Sequence, residues 1–148
     1  MADTLNTLRP ESAAGGFARD NGGIVFYTRV NALLRPEMTV VDLGAGRGTV
    51  FHSGVFGFYE QLAKLQGKVK HVIGLDIDEA IKDHPFLDER HVIASDGALP
   101  PGNDEVDMVV SDWVLEHVQD PNRFAQELHR VLKPGGWLCA RTPIRWGY

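Results

Sequence analysis

Three features of the sequence predict an α/β protein with a mostly parallel sheet layered between helices on both faces. Short apolar runs rich in β-branched residues recur, segments of helical periodicity separate them, and acidic or glycine-rich turns follow them. Strands buried on both faces read as continuous apolar stretches rather than alternating ones. Strands alternating with helices imply right-handed parallel crossovers. Ligands of such sheets sit outside the carboxyl ends of the strands, beside the first strand, so the loops after the strands carry the information.

The chain opens with residues 1–16, where Pro10, Ser12, Gly15 and Gly16 interrupt any periodicity, so this stretch is expected to be a loose arm before a domain over 17–148. From Phe17 to Leu34 the residues Ile24, Phe26, Tyr27, Val30, Leu33 and Leu34 recur at helical spacing, closed before Pro36. The expected strands are Met38–Leu43, Val69–Leu75, His91–Ala94, Val106–Val110 and Trp137–Arg141. Between the first two, Val55, Phe58, Tyr59, Leu62 and Leu65 share one helical face, with Gly67 as the expected cap. Between the last two, Asp120 caps, Pro121 takes the first helical position, and Phe124, Leu128, Val131 and Leu132 form the inward stripe. Trp137 and Phe124 read as core.

Composition narrows the function. At 148 residues the chain fits one domain, and 43% apolar with 24% charged residues is ordinary for a folded protein. A net charge of -5 without a basic block argues against nucleic acid as partner. No run has membrane-spanning or signal-peptide length, and the lone Cys139, among Trp137, Leu138 and Ala140, reads as a buried thiol; a cytoplasmic protein is expected. His71, His84, His91 and His129 lack metal-ligand spacing with one another or with Cys139, so no metal site is expected.

The turn after the first strand, Asp42-Leu43-Gly44-Ala45-Gly46-Arg47-Gly48, lets backbone approach a ligand closely. Its G-x-G-x-G spacing departs from the G-x-G-x-x-G dinucleotide fingerprint. Asp42 would repel a pyrophosphate but suits a ligand bearing an ammonium and a sulfonium. Asp76, followed by Ile77 at the end of the second strand, can accept from both ribose hydroxyls, and Asp96 with Gly97 after the third can read an adenine edge. Ser111 to His117 after the fourth strand would wall the remaining end of the ligand and face a second substrate, with Trp113 in that wall.

The segments VVDLGAGRG, GLDID, ASDGALP, DMVVSDWVLEHV and RVLKPGGWL together resemble the ordered motifs of class I S-adenosylmethionine-dependent methyltransferases, over about Val40 to Thr142. The branch it most resembles is the small-molecule one typified by quinone-biosynthesis and sugar-cluster methyltransferases. The resemblance implies a Rossmann-like fold, S-adenosylmethionine as cofactor and a small-molecule methyl acceptor. It also implies that the backbones of Gly44 and Ser111 hold the methionine amino group, with Asp76 at the ribose and Asp96 and Gly97 at the adenine; Ala45, Gly46 and Ile77 are expected to line the same cofactor site. His117 and Asp112 are the candidate general bases. The chain departs from the family in a longer stretch from Thr49 to Lys68, containing His52-Ser53-Gly54, and in lacking the usual C-terminal helix and strands after Arg141. The chain is therefore expected to be C-terminally incomplete, with an exposed fifth strand that a second copy, the N-terminal arm or further residues would cover. A nicotinamide-dependent oxidoreductase and a non-catalytic cofactor-binding fragment are the competing readings.

Overall fold

A computed structural model describes residues 22–52 and 57–143. The expected N-terminal arm, the start of the first helix, the Ser53-Gly54 insertion, Val55 and the Trp146-Gly147-Tyr148 ending lie outside them.

Helix α1 spans Gly22–Leu33 and is followed by strand β1, Thr39–Leu43. A 3-10 turn at Thr49–His52 precedes α2, Gly57–Ala63, and β2, His71–Asp76. A second 3-10 turn at Glu79–Asp83 leads to β3, Glu89–Val92, and a loop leads on to β4, Val106–Asp112. After a third 3-10 turn at Leu115–His117 come α3, Pro121–Val131, and β5, Leu132–Arg141. The five strands pair in parallel in the order β3-β2-β1-β4-β5. The expected sheet is thus present, and β1 is central.

Alternation along the strands assigns each side chain to a face. Val40, Val72, Met108 and Val110 join Tyr27 and Val30 of α1 and Ala63 of α2 in one core layer. Val41, Leu43, Ile73, Leu75 and Val109 face the other way, against Leu128 and Val131 of α3. The β3–β4 loop is fastened to that second layer by Arg130, which donates to the carbonyl oxygens of Leu99 (2.7 Å) and Pro101 (2.9 Å), while the Leu99 N–H donates to Glu127 (2.8 Å). The N-cap of α3 is as expected, Asp120 accepting from the Arg123 N–H at 3.0 Å ahead of Pro121.

Three expectations are corrected. The second helix ends at Ala63, not near Leu65, because its last carbonyls are taken from outside. Asn31 of α1 donates to the Leu62 carbonyl oxygen at 2.8 Å, and the Lys68 ammonium donates to those of Gln61 and Leu62. Leu65 is buried in the following loop, and Gly67, at φ +84°, serves the next turn instead of capping the helix. Strand β5 begins at Leu132, five residues early, because the Lys133–Gly136 segment forms an irregularity between the Val106–Leu132 and Met108–Trp137 pairs. Gly135, at φ +80°, permits it. Trp137, expected in the core, is 48% exposed because β5 is an edge strand and its Met108-side face extends past the described helices. Phe124 is half-buried against the α3 layer, and Cys139 is half-buried, its thiol pushed up by burial.

Candidate functional site

The parallel register aligns Leu43 of β1 with Leu75 of β2 and Ser111 of β4, so the three central strands end together. Alternation then sets Asp42, Asp76 and Asp112 on the α1/α2 face, a row of three carboxylates at the carboxyl ends of adjacent strands. Only two of them are tied down. Asp76 accepts from the Gly46 N–H and the Asp78 N–H, both at 2.8 Å, and so holds the glycine loop to the end of β2. Asp112 accepts a two-pronged bond from Arg141 of β5, Nε to Oδ1 at 2.5 Å and Nη2 to Oδ2 at 2.8 Å. No described residue donates a hydrogen bond to the Asp42 side chain. Burial, then the nearby charges of Asp112 and Asp76, push its carboxyl up to about 7. Tyr27 and Tyr59 face the same acids, and their hydroxyls are also raised, burial being the largest cause.

The glycine loop is shaped by what surrounds it. Gly44 has φ +76°, and a Cβ there would lie 2.2 Å from Cγ2 of Val114, so the loops after β1 and β4 touch at this point. Gly48, at φ +68°, leaves room for the ring of His84, which would sit 2.7 Å from a Cβ. His84 is 3% exposed and stands edge-on to Phe51, buttressing the loop from the β2–β3 side. Ala45 packs against the α1/α2 core layer.

Around this centre the other expected residues take distinct positions. Ile77, next to Asp76, is 79% exposed. The Asp76 carbonyl oxygen accepts from the Ile93 N–H at 2.7 Å, which brings the segment after β3 beside the end of β2. In that segment Gly97, at φ +73°, donates to the Ala94 carbonyl oxygen at 2.9 Å, and Asp96 accepts from the Ala98 N–H at 3.1 Å. The Ser111 side chain points to the α3 face, fully buried, and its hydroxyl has no partner among the described residues, so only its backbone is available at the strand end. Trp113 holds φ +59°, rare for a bulky residue, is half exposed, and donates its N–H to the Arg141 carbonyl oxygen at 2.8 Å. His117 is exposed on the 3-10 turn that follows, its ring without a hydrogen bond to any described residue.

Arg141, Tyr27 and Tyr59 belong to this end of the sheet, and sequence reasoning did not single them out. For Arg141 the signal was present, since it closes an apolar strand run on the ligand side as Asp42 and Asp76 do. The tyrosines sit at ordinary core spacing and carried none. Among the described residues no group of three metal-ligating side chains could hold a metal ion, and no helix is long and apolar enough to cross a membrane.

Comparison with known proteins identifies the family and the fold. A family model described as a methyltransferase domain matches residues 41–140. A Mycolicibacterium smegmatis protein named "Probable S-adenosylmethionine-dependent methyltransferase" is 42% identical over 81 residues, covering 51% of this chain and 31% of that protein. The chloroplastic 2-methyl-6-phytyl-1,4-hydroquinone methyltransferase of Arabidopsis thaliana is 33% identical over 117 residues, covering 76% of this chain and 32% of that protein. The solved S-adenosylmethionine-dependent methyltransferase of Aquifex aeolicus shares the fold, with a TM-score of 0.55 at 20% identity, covering 93% of this chain and 70% of that one. The chain spans about a third of the length of these curated relatives.

Proposed function

Since the chain belongs to the class I S-adenosylmethionine-dependent methyltransferase family, we propose that it binds S-adenosylmethionine at the ends of β1 to β4 and transfers a methyl group to a small-molecule acceptor. The observation that carries this reading is the Asp42 carboxyl, to which no described residue donates a hydrogen bond, in the row of three acids beneath the glycine loop. Such a row favours a ligand carrying cations and opposes a pyrophosphate.

The residues fit the cofactor. Backbone of Gly44, Ala45, Gly46 and Ser111 would hold the amino-acid end, near Asp42. Asp76 keeps a free lone pair on each oxygen for the ribose hydroxyls, because a carboxylate has about four acceptor sites and two are taken. The exposed Ile77 offers an apolar face for the base, with Asp96 and Gly97 at its edge and Trp113 closing the acceptor side. The bound cofactor supplies a methyl group already activated by its sulfonium. The protein therefore mainly aligns the acceptor and keeps water out. Where the acceptor must lose a proton, His117 is the freer of the two candidate bases, since Arg141 occupies both oxygens of Asp112. A small acceptor agrees with the net negative charge of the chain and with the hydroquinone in the name of one relative. The lone cysteine suits the reducing cytoplasm. β5 is the edge strand among the described residues, and a homodimer would form through that edge.

Calorimetry is expected to show binding of S-adenosylmethionine and S-adenosylhomocysteine and negligible binding of NAD, with homocysteine release over an acceptor panel then identifying the substrate. Tighter NAD binding would overturn the assignment. Binding without release on any acceptor would leave a cofactor-binding protein.

The Asp42 carboxyl also predicts a pH dependence. An acid raised from 3.8 to about 7 holds its proton in the folded state at pH values where the unfolded chain has released it. The ligand-free protein therefore loses stability as pH rises from about 4 to 7. A cationic ligand favours the ionised form, so cofactor binding tightens as pH rises through about 7. Asp42→Asn is expected to flatten both profiles, measured by thermal melting and by titration. Profiles unchanged in that variant would place the titrating group elsewhere.

A further inference from the structure

The strand ends hold one more built feature, the guanidinium of Arg141. It grips Asp112 with two donors and hydrogen-bonds the Tyr59 side chain of α2. It lies 5.7 Å from the ring centres of both Phe26 of α1 and Trp113 after β4. Its Nη1 would stand 3.2 Å from a Cβ on Gly22, and the Tyr59 ring 3.0 Å from one on Gly23, so the first turn of α1 rests against this pair. Four elements, α1, α2, β4 and β5, thus meet at one side chain that is itself only 25% exposed.

We propose that Arg141 is the positioning residue of the site: by holding Asp112 and bracing the first turn of α1, it leaves Asp42 as the carboxylate presented to a bound cation. This rests on the cofactor reading above. Asp42 is faced by Asp76 from β2, Asp112 from β4 and Tyr27 from α1, with Tyr59 of α2 coupled to the same acids. Arg141 is the cation bonded within that group. Without it Asp112 becomes an uncompensated neighbour, and Asp42 gives up its proton less readily. The brace has a second consequence. Freed of Arg141, α1 keeps its apolar contacts through Ile24, Tyr27 and Val30 but loses the contact at its first turn.

The test uses the ligand-free protein and its S-adenosylhomocysteine complex. Carbon NMR follows the Asp42 carboxyl through a pH titration in wild type, Arg141→Gln, Arg141→Lys, Asp112→Asn and the Gln/Asn double variant. Arg141→Gln is expected to raise the Asp42 midpoint by about one unit, Asp112→Asn to lower it, and the double variant to cancel the rise. Arg141→Lys, which keeps the charge and loses the fork, is expected to hold the midpoint near wild type while amide exchange in the first turn of α1 quickens. Arg141→Gln is further expected to weaken S-adenosylhomocysteine about tenfold. An Asp42 midpoint unmoved in both Arg141→Gln and the milder Asp112→Asn would overturn the proposal, as would slow exchange at the start of α1 in every variant. Wild type that fails to bind S-adenosylhomocysteine would sink the cofactor reading alone, because the titration and the exchange need no ligand.

Discussion

Replacing Asp76 by alanine is expected to weaken S-adenosylmethionine binding at least tenfold and to lower the melting temperature as well. Two roles meet in this carboxylate. Toward the protein it accepts from the Gly46 and Asp78 N–H groups, tying the glycine loop to the end of β2. Toward the proposed ligand its remaining lone pairs face the ribose hydroxyls. A hydrogen bond to a charged group contributes about 1.5–3 kcal/mol, so losing even one such contact to the ribose exceeds a tenfold change in affinity. The two backbone bonds are lost at the same time, and the glycine loop is left less ordered. Asp76→Asn separates the roles: it keeps one carbonyl acceptor, so it is expected to recover part of the stability while binding stays weak. Calorimetry and thermal melting on both variants decide the matter. An unchanged dissociation constant in folded Asp76→Ala would put the ribose elsewhere.

The second large effect is expected at Gly44. Alanine there must adopt φ +76° and place its Cβ 2.2 Å from Cγ2 of Val114, too close for any real contact. The left-handed conformation costs about 1–2 kcal/mol and the forced repacking about 1–3 kcal/mol. Val114 must turn about its χ1 or shift the segment that carries Trp113 and His117, and the Gly44 N–H bond to the Leu75 carbonyl oxygen, 2.7 Å, resists movement on the other side. Gly44→Ala is therefore expected to lower the melting temperature by several degrees and to abolish cofactor binding. Gly67→Ala is the control. Gly67 has a similar φ of +84° with nothing within 4 Å of a Cβ, so it bears the backbone cost alone and leaves binding intact. A Gly44→Ala protein no less stable than Gly67→Ala, and still binding cofactor, would show that the loop and the Val114 segment are not coupled.

By itself the sequence determined the layers of the sheet and pointed to the strand ends where the site is proposed. Its apolar runs were dense enough to mark every strand of the sheet, and residues such as Val40 and Val41 pack on opposite faces because any strand alternates its side chains. Asp42 and Asp76 were legible because a polar residue ending an apolar strand run has few reasons to be there except a ligand or a turn. Local chemistry decides such features, and local chemistry is written in consecutive residues. The helix end at Ala63, by contrast, is set by Asn31 and Lys68 reaching in from elsewhere, and no spacing within residues 57–65 encodes that. The exposure of Trp137 follows from β5 lying at the sheet edge, a matter of strand order and not of its neighbours in sequence. Most of all, the pairing of Asp112 with Arg141, 29 residues apart, depends on two parallel strands ending in register. That long-range register turns a candidate base into half of an ion pair and leaves Asp42 as the acid of the row to which no described residue donates, and only the tertiary structure could decide it.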